Sequence, residues 1–326
     1  MKISVLSSGI VSPYGIGSLP ATERRELVSN AEGTRSHHVA LVDRNAPEFV
    51  QWSQKARLRR ASPISYYMIE AAHQALSAVP DLDLSRVGIV ATFFLGCLVY
   101  SIRFYSQILR DGRRFGSPVL FPETVFNSPV SHVVSTLGIG GPVYSQVGDK
   151  SCWASGMRTA ECWLRNGSAD HVIVLGAEEF DPMALDALYS AELIANDVVI
   201  GEGAGAILLS SKSAEGDAIT LQKVADGFGF SNKEGAVEAA SSCLDQFPGE
   251  TPLFSTASSW THEVENKASA GRTVIRPEIV PCEAFTARAG WDTVSGINAM
   301  RKNNLESLVI PYWGMSQQTG AAYFTR

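Results

Sequence analysis

No stretch of the 326 residues is apolar for long enough to cross a bilayer. The opening residues also lack the short apolar core of a secretory leader. Cysteine is sparse and odd in number, at five, without the paired spacing of a disulfide framework or a zinc site. A reducing compartment, the cytoplasm, is therefore expected. Basic residues are outnumbered by acidic ones, 27 to 33, leaving a net charge of −6 that argues against nucleic acid as a principal partner. Histidine is nearly as scarce as cysteine: His37, His38, His73, His132, His171 and His262 complete the set, and none has metal-ligand spacing. A phosphate-binding glycine loop is missing too. Gly201-Glu202-Gly203-Ala204-Gly205 precedes a strand instead of opening a helix, so no dinucleotide site is expected. Neither a metal nor a cofactor is implied.

What is present suits an ordinary globular chain, 45% hydrophobic and 18% charged. Buried-strand character appears at Lys2 to Ile10, Val87 to Phe94, Pro142 to Val147, His171 to Gly176 and Ala204 to Ser210. Between them, helices are expected at Pro63 to Val79, at residues 98–112, from Asn127-Ser128-Pro129 to Leu137, at Trp153 to Asn166 and at Pro182 to Ile194. The polar segment 210–218 reads as a seam, dividing the chain into residues 1–211 and 212–326. Beyond it the alternation resumes, with strands at 219–226, Leu253 to Ala257, 274–280, Ser307 to Trp313 and Ala321 to Thr325. Helices at 232–246 and Thr293 to Asn303 lie among them. Strands alternating with helices in both parts indicate an α/β layered fold. Residues 18–50 give no clear element.

The most informative stretch runs from Tyr144 to Glu178. A strand turns at Gly148-Asp149, Cys152 follows, and a helix ends at Asn166 with Gly167 in the C′ position that suits glycine. Cys152 thus stands at a strand-to-helix turn, where a helix N-terminus favours thiolate and lowers the pKa. The other four cysteines, Cys97, Cys162, Cys243 and Cys282, lie in apolar or helical runs and read as core.

GDKSCWASGMRTA followed by ADHVIVLGAEE resembles the nucleophile segment of the β-ketoacyl synthases, D-T-A-C-x-S-G, a helix, then A-D-x-x-x-x-G-x-E. The segment from Phe121 to Asp149 resembles P-x-x-x-x-N…G-x-x-G-P, GEGAGAILLS resembles G-E-G-A-G, and MKISVLSSGIVSPYGIG resembles the first strand and its V-S-P-x-G turn. The resemblance covers most of residues 1–210. It implies a thiolase-like fold, two similar halves in an α-β-α-β-α arrangement, with Cys152 as nucleophile and usually a dimer.

The family also uses two histidines, in H-G-T-x-T and G-H-x-x-G, as polar donors for decarboxylation. Matching the first motif puts Ala257 at the histidine position; matching the second puts Arg288 or Gly290 there, depending on register. None of these side chains can donate or take a proton as histidine does. The gating and oxyanion loop F-G-F-G-G-x-N resembles Trp313-Gly314-Met315-Ser316-Gln317-Gln318-Thr319, in which only the first glycine survives. Among the histidines only His262 lies near a motif, as a relocated base or as a surface residue on a polar turn.

Two functions fit this pattern. One is a chain-length-factor-like subunit of a type II polyketide or fatty-acid synthase, which shapes the acyl tunnel of a partner ketosynthase. The other is a cysteine acyltransferase that uses Cys152 without decarboxylative condensation. The expected partners are a ketosynthase in a heterodimer, or a second copy, and an acidic acyl carrier protein bearing acyl-phosphopantetheine. The basic residues Arg57, Arg59, Arg60, Arg113 and Arg114 are candidates for docking the carrier, although a solvated helix face is the plainer reading of the first group. Val119, Leu120, Phe121, Val125 and Phe126 form an apolar run suited to the dimer contact.

Overall fold

The computed structural model describes residues 1–17, 26–29, 33, 36–195, 198–212, 218–277, 282–316 and 318–326. Eleven strands share one hydrogen-bonded network, ten of them on a single path. The path runs Val274–Ile275, Leu253–Phe254, Ser307–Trp313, Gln318–Thr325, Thr220–Gly229, Ile3–Ser12, Gly203–Ser210, His171–Glu178, Val87–Phe93 and Val143–Val147. Gly15–Ile16 folds back on the end of Ile3–Ser12. Numbered by chain order within each five, the C-terminal set that opens this path reads 3-2-4-5-1, and the N-terminal set, the first in chain order, reads 1-5-4-2-3. Directions repeat as well. Strand 2 is parallel to strands 3 and 4, whereas strand 5 is antiparallel to its two neighbours, in both sets. The two first strands join the sets through Ile3–Leu221 and Ser4–Thr220.

Helices cover both outer faces and fill the centre. On the N-terminal side, Ile64, Met68, Ala71, Ala72, Ala75 and Leu76 of the Pro63–Ser77 helix pack on the outer face of the first set, with Ile89, Ile173 and Leu208. On the far side, Ala236, Ala240, Cys243 and Leu244 of the Lys233–Leu244 helix and Val264 of the Thr261–Ala268 helix cover the second set. Two helices lie between the sets, Cys152–Arg165 and Phe285–Lys302, contributing Trp153, Met157, Ala287, Trp291 and Ile297 to the central cluster. The result is an α-β-α-β-α layering in which Cys152 opens one of the two central helices. The Val87–Phe93 and His171–Glu178 strands are buried throughout, as parallel strands covered on both faces must be.

Most expected elements form within a few residues of their expected bounds. The largest departure is the final helix, which begins at Phe285 and not at Thr293. Its start carries no side-chain cap and no acidic first turn, so the usual signals of a helix N-terminus are missing. Residues 26–29, 36–40 and 47–53, which gave no clear element, form two strands and a short helix. Asn127 lies inside its helix, with Phe126 at the cap position. The strand near 274–280 ends at Ile275, and 278–280 lie outside the described residues, as does most of the 210–218 seam. Leu120 and Phe126 are half-buried, Phe126 lying 5.8 Å from the Phe93 ring.

Where the Phe285–Lys302 helix crosses the first sheet, two glycines let the backbones touch with no side chain between them. A Cβ on Gly205 would sit 2.8 Å from the Gly290 Cα, and one on Gly290 would sit 2.8 Å from the Gly205 Cα. A Cβ on Gly176 would meet the Thr286 carbonyl oxygen at 2.1 Å. Overpacking of this kind costs about 1–3 kcal/mol or more, because neither backbone can retreat. Gly290→Ala and Gly205→Ala are therefore each expected to lower the unfolding free energy by that amount, read as a lower urea midpoint, whereas Gly249→Ala, which opens on free space, leaves it unchanged. Equal midpoints for all three would show that the helix is not seated this closely.

Candidate active site around Cys152

Cys152 is the first residue of its helix, after Ser151, and is buried. Its Sγ lies 3.9 Å from Gln146 Oε1, and Gln146 in turn donates to Thr159 Oγ1 at 2.8 Å. A cavity of about 340 Å³ opens beside the thiol, lined by Tyr144, Ser145, Gln146, Ser155 and Gln318 among others. Gly148 closes the near wall, where an added Cβ would stand 3.4 Å from Sγ.

The electrostatics correct the sequence expectation. Burial pushes the Cys152 thiol up to about 12, and the nearby carboxylates of Asp149 and Glu178 push in the same direction. The helix terminus does not rescue the thiolate, because an anion already occupies it. Asp149 Oδ1 accepts from Ser151 N at 3.1 Å and from the Ser151 hydroxyl at 2.6 Å. Its Oδ2 accepts from Ser316 N and Oγ at 3.1 and 3.2 Å. Cys152 is therefore a protonated thiol at neutral pH. Cys162, expected in the core, is exposed, while Cys97, Cys243 and Cys282 are buried. All five cysteines are free.

Glu178 closes the other side of the site. Its carboxylate accepts from three consecutive backbone amides, Phe94, Leu95 and Gly96, at 2.6, 2.8 and 3.1 Å. The Thr286 hydroxyl lies 2.8 Å from its Oε1. Burial nonetheless raises this group to about 7, and the neighbouring Glu179 to about 8.

No histidine reaches this site. His262 sits on the exposed face of the Thr261–Ala268 helix, on a helix where a turn was expected, while Val264 and Glu265 face inward. His37 stacks on Tyr189, His73 meets Trp52 edge-on, His132 bonds to Glu123, His38 is exposed, and His171 begins its strand. A buried ion cluster stands behind the cysteine instead. Lys150 Nζ lies 2.6 Å from the Thr256 carbonyl and 2.9 Å from Asp292 Oδ2, and Arg288 Nε lies 2.8 Å from Asp292 Oδ1. Lys150, Arg288 and Asp292 are almost fully buried. Sequence reasoning placed Arg288 but missed Lys150 and Asp292, whose meeting depends on the unforeseen early start of the helix.

The other expected positions separate. Ala257 packs with Val264 and Trp313. Gly290 has no room for any side chain, so its glycine is set by the Gly205 contact. At the helix start Phe285 holds φ at +45°, a conformation that favours glycine, and Thr286 follows. The loop after Trp313 does approach the cysteine. A Cβ on Gly314 would meet the Gln318 carbonyl oxygen at 1.8 Å and Asp149 Oδ2 at 2.4 Å, and Gln318 lines the Cys152 cavity. Trp313 turns away, its Nε1 donating to Glu265 at 2.8 Å, and Met315 packs near Phe285 and Phe180. Arg59, Arg60, Arg113 and Arg114 are exposed, and Arg57 donates to the Ser135 carbonyl at 2.6 Å. Among the described residues no group of three or more His, Cys, Asp or Glu could hold a metal ion, and no helix is long and apolar enough to cross a membrane.

Two measurements follow from these charges. Limited iodoacetamide labelling at pH 7 with peptide mapping is expected to modify Cys162 first and Cys152 slowly, with Cys152 gaining only above pH 9 or so. Asp149→Asn should accelerate Cys152; fast labelling of the unaltered Cys152 at pH 7 would contradict its protonated state. The second concerns stability. Glu178 and Glu179 hold protons in the folded chain to about 7 and about 8 but lose them near 4.5 when unfolded. Their contribution is complete below about 4.5 and disappears as pH rises through 7–8. The melting temperature should fall from pH 5 to pH 8.5, and Glu179→Gln should flatten that slope.

The family description "Beta-ketoacyl synthase, N-terminal domain" matches residues 14–215. By fold, the chain is similar to the ishigamide ketosynthase/chain length factor, at 15% identity and a TM-score of 0.79, covering 100% of this chain and 99% of that one. It is similar to a β-ketoacyl synthase from Burkholderia phymatum STM815, at 14% identity and a TM-score of 0.81, covering 100% and 99%. It is also similar to a ketosynthase in complex with its chain length factor from Xenorhabdus doucetiae, at 12% identity and a TM-score of 0.78, covering 99% and 98%. Comparison with curated protein sequences finds no match. With this fold, with Cys152 at the opening of a central helix and with a match across most of the first sheet, the chain belongs to the β-ketoacyl synthase family.

Proposed function

We propose that this chain is the chain-length-factor-like subunit of a type II polyketide or fatty-acid synthase, shaping the acyl tunnel of a partner ketosynthase. One observation carries the reading: the groups behind Cys152 are Lys150, Asp292 and Arg288, held to one another, and no histidine is within reach. Condensation needs groups that donate or accept protons near the thioester. A buried lysine and arginine sharing one carboxylate are committed to each other, and the thiol itself stays protonated. The scaffold is kept while the proton-transfer groups are absent, as suits a subunit that works beside an active one.

Two of the proteins that share the fold are described as a ketosynthase with a chain length factor, and that pairing is the model for this chain. The Val143–Val147 strand ends the sheet with Val143, Tyr144 and Val147 exposed. Val119, Phe121 and Val125 are exposed as well. An unpaired strand edge with apolar side chains invites a second sheet. An acyl carrier protein, acidic by composition, docks on Arg57, Arg59, Arg60, Arg113 and Arg114. The chain divides at residues 211 and 212, and five free thiols suit the cytoplasm.

Co-expression with a complete type II ketosynthase, followed by native mass spectrometry, tests the assignment. The expected result is a one-to-one heterodimer that extends malonyl-carrier units, while this chain alone falls short by about 10²–10⁴-fold or more. A stable homodimer that ignores the ketosynthase would overturn it and favour a cysteine acyltransferase.

A further inference from the structure

Away from Cys152, a second cavity of about 220 Å³ lies between the starts of the Pro63–Ser77 and Leu98–Asp111 helices. Four aromatic rings, Phe49, Tyr66, Tyr67 and Tyr100, and two guanidinium groups, Arg44 and Arg103, line it. We propose that this cleft binds a small aromatic carboxylate, one ring bearing one negative charge.

The charges in the cleft do not balance. Arg44 is committed at the floor, its Nη2 2.9 Å from Glu202 Oε2 and its Nε 3.0 Å from the Tyr67 hydroxyl. The Tyr67 hydroxyl lies 2.8 Å from Glu202 Oε1, so that pair closes on itself. Glu179, bonded to Ile64 N and Val99 N behind the same wall, is held up to about 8 by burial and is uncharged at neutral pH. Glu123 is turned to Ser128 and His132. Arg103 rests on the Tyr100 ring, 5.4 Å from its centre, and among the described residues it forms no ion pair. Arg103 is thus a guanidinium without an ion-pair partner in an aromatic cleft, with the Glu123 carboxylate near enough to act on Tyr100 but bonded to Ser128 and His132.

The remaining polar groups are donors. Burial raises both the Tyr66 and Tyr100 hydroxyls, so each stays protonated at neutral pH. The Tyr66 hydroxyl donates to the Leu58 carbonyl at 2.7 Å. The Tyr100 hydroxyl makes no hydrogen bond to a described residue. A carboxylate beside Arg103 and Tyr100 would take a charge-assisted bond from each. Phe49 and Tyr67 pack on each other, ring centres 6.0 Å apart and tilted by 49°, and together present one aromatic wall to the ligand's ring. The volume is below the roughly 300 Å³ at which sites for larger ligands begin, which limits the ligand to one ring.

Isothermal titration of the full chain with benzoate, benzamide and cyclohexanecarboxylate tests this. Benzoate should bind, with benzamide at least about tenfold weaker for want of charge and cyclohexanecarboxylate weaker for want of a flat ring. Arg103→Ala should weaken benzoate about tenfold or more and Arg103→Lys less, since lysine restores the charge without the planar fork. Arg103 is exposed, so circular dichroism should show both variants folded. Three results would overturn the proposal: no benzoate binding up to about 10 mM, equal affinity for benzamide, or unchanged affinity in Arg103→Ala.

Discussion

Two adjacent glutamates at the end of the His171–Glu178 strand hold the site together. Glu178 gathers the amides of residues 94–96 and the Thr286 hydroxyl, tying the end of the Val87–Phe93 strand to the start of the central helix. Glu179 takes the amides of Ile64 and Val99, the first turns of two outer helices. Glu202, one strand over, binds Phe180 N, Val42 N, Tyr67 and Arg44. A buried carboxylate is costly without partners, and here backbone amides supply most of them. Removing one carboxylate would strand several amides at once, in segments far apart in sequence.

The same arrangement sets the state of the cysteine. A helix N-terminus activates a thiol only when its amides face the sulfur and no closer anion intervenes. Asp149 takes the Ser151 amide, and through Ser316 it also fastens the loop that follows Trp313. Gly314 lies so close to Asp149 that a side chain there would displace the carboxylate. The loop and the helix start are thus one unit, and its cost is a thiol kept neutral. In a chain that condensed acyl groups by itself that would be a defect; beside an active partner it is tolerable.

Much of this fold was legible in the residues. The Val- and Ile-rich runs at 87–93 and 171–178 marked parallel strands, and Gly167 marked the end of the cysteine helix with its positive φ. The repeated strand order could not be read: the strands at 253 and 274 were expected, though longer than the two residues each that form, but nothing in a single sequence says which strands they pair with. The early start of the central helix was hidden because Phe285 occupies a conformation usually given to glycine and no cap residue announces the turn. The Lys150–Asp292–Arg288 cluster was hidden for the same reason. Residues 140 positions apart show no pairing in a single sequence, and Asp292 was expected to lie outside any helix.

That cluster also explains why the scaffold stands without its histidines. Deleting polar side chains from a packed interior leaves unpaired groups and a cavity, each destabilising by a few kcal/mol. Lys150 spans from the cysteine turn to the Thr256 carbonyl, and Asp292 sits one helical turn from Arg288, in contact with both cations. A buried ion cluster of this kind contributes little net stability, but losing one member costs about 3–5 kcal/mol because the others are then left charged and dry. Lys150, Asp292 and Arg288 therefore constrain one another more tightly than any of them is constrained by chemistry. A single substitution toward a histidine pair would have to cross that penalty unless all three change together.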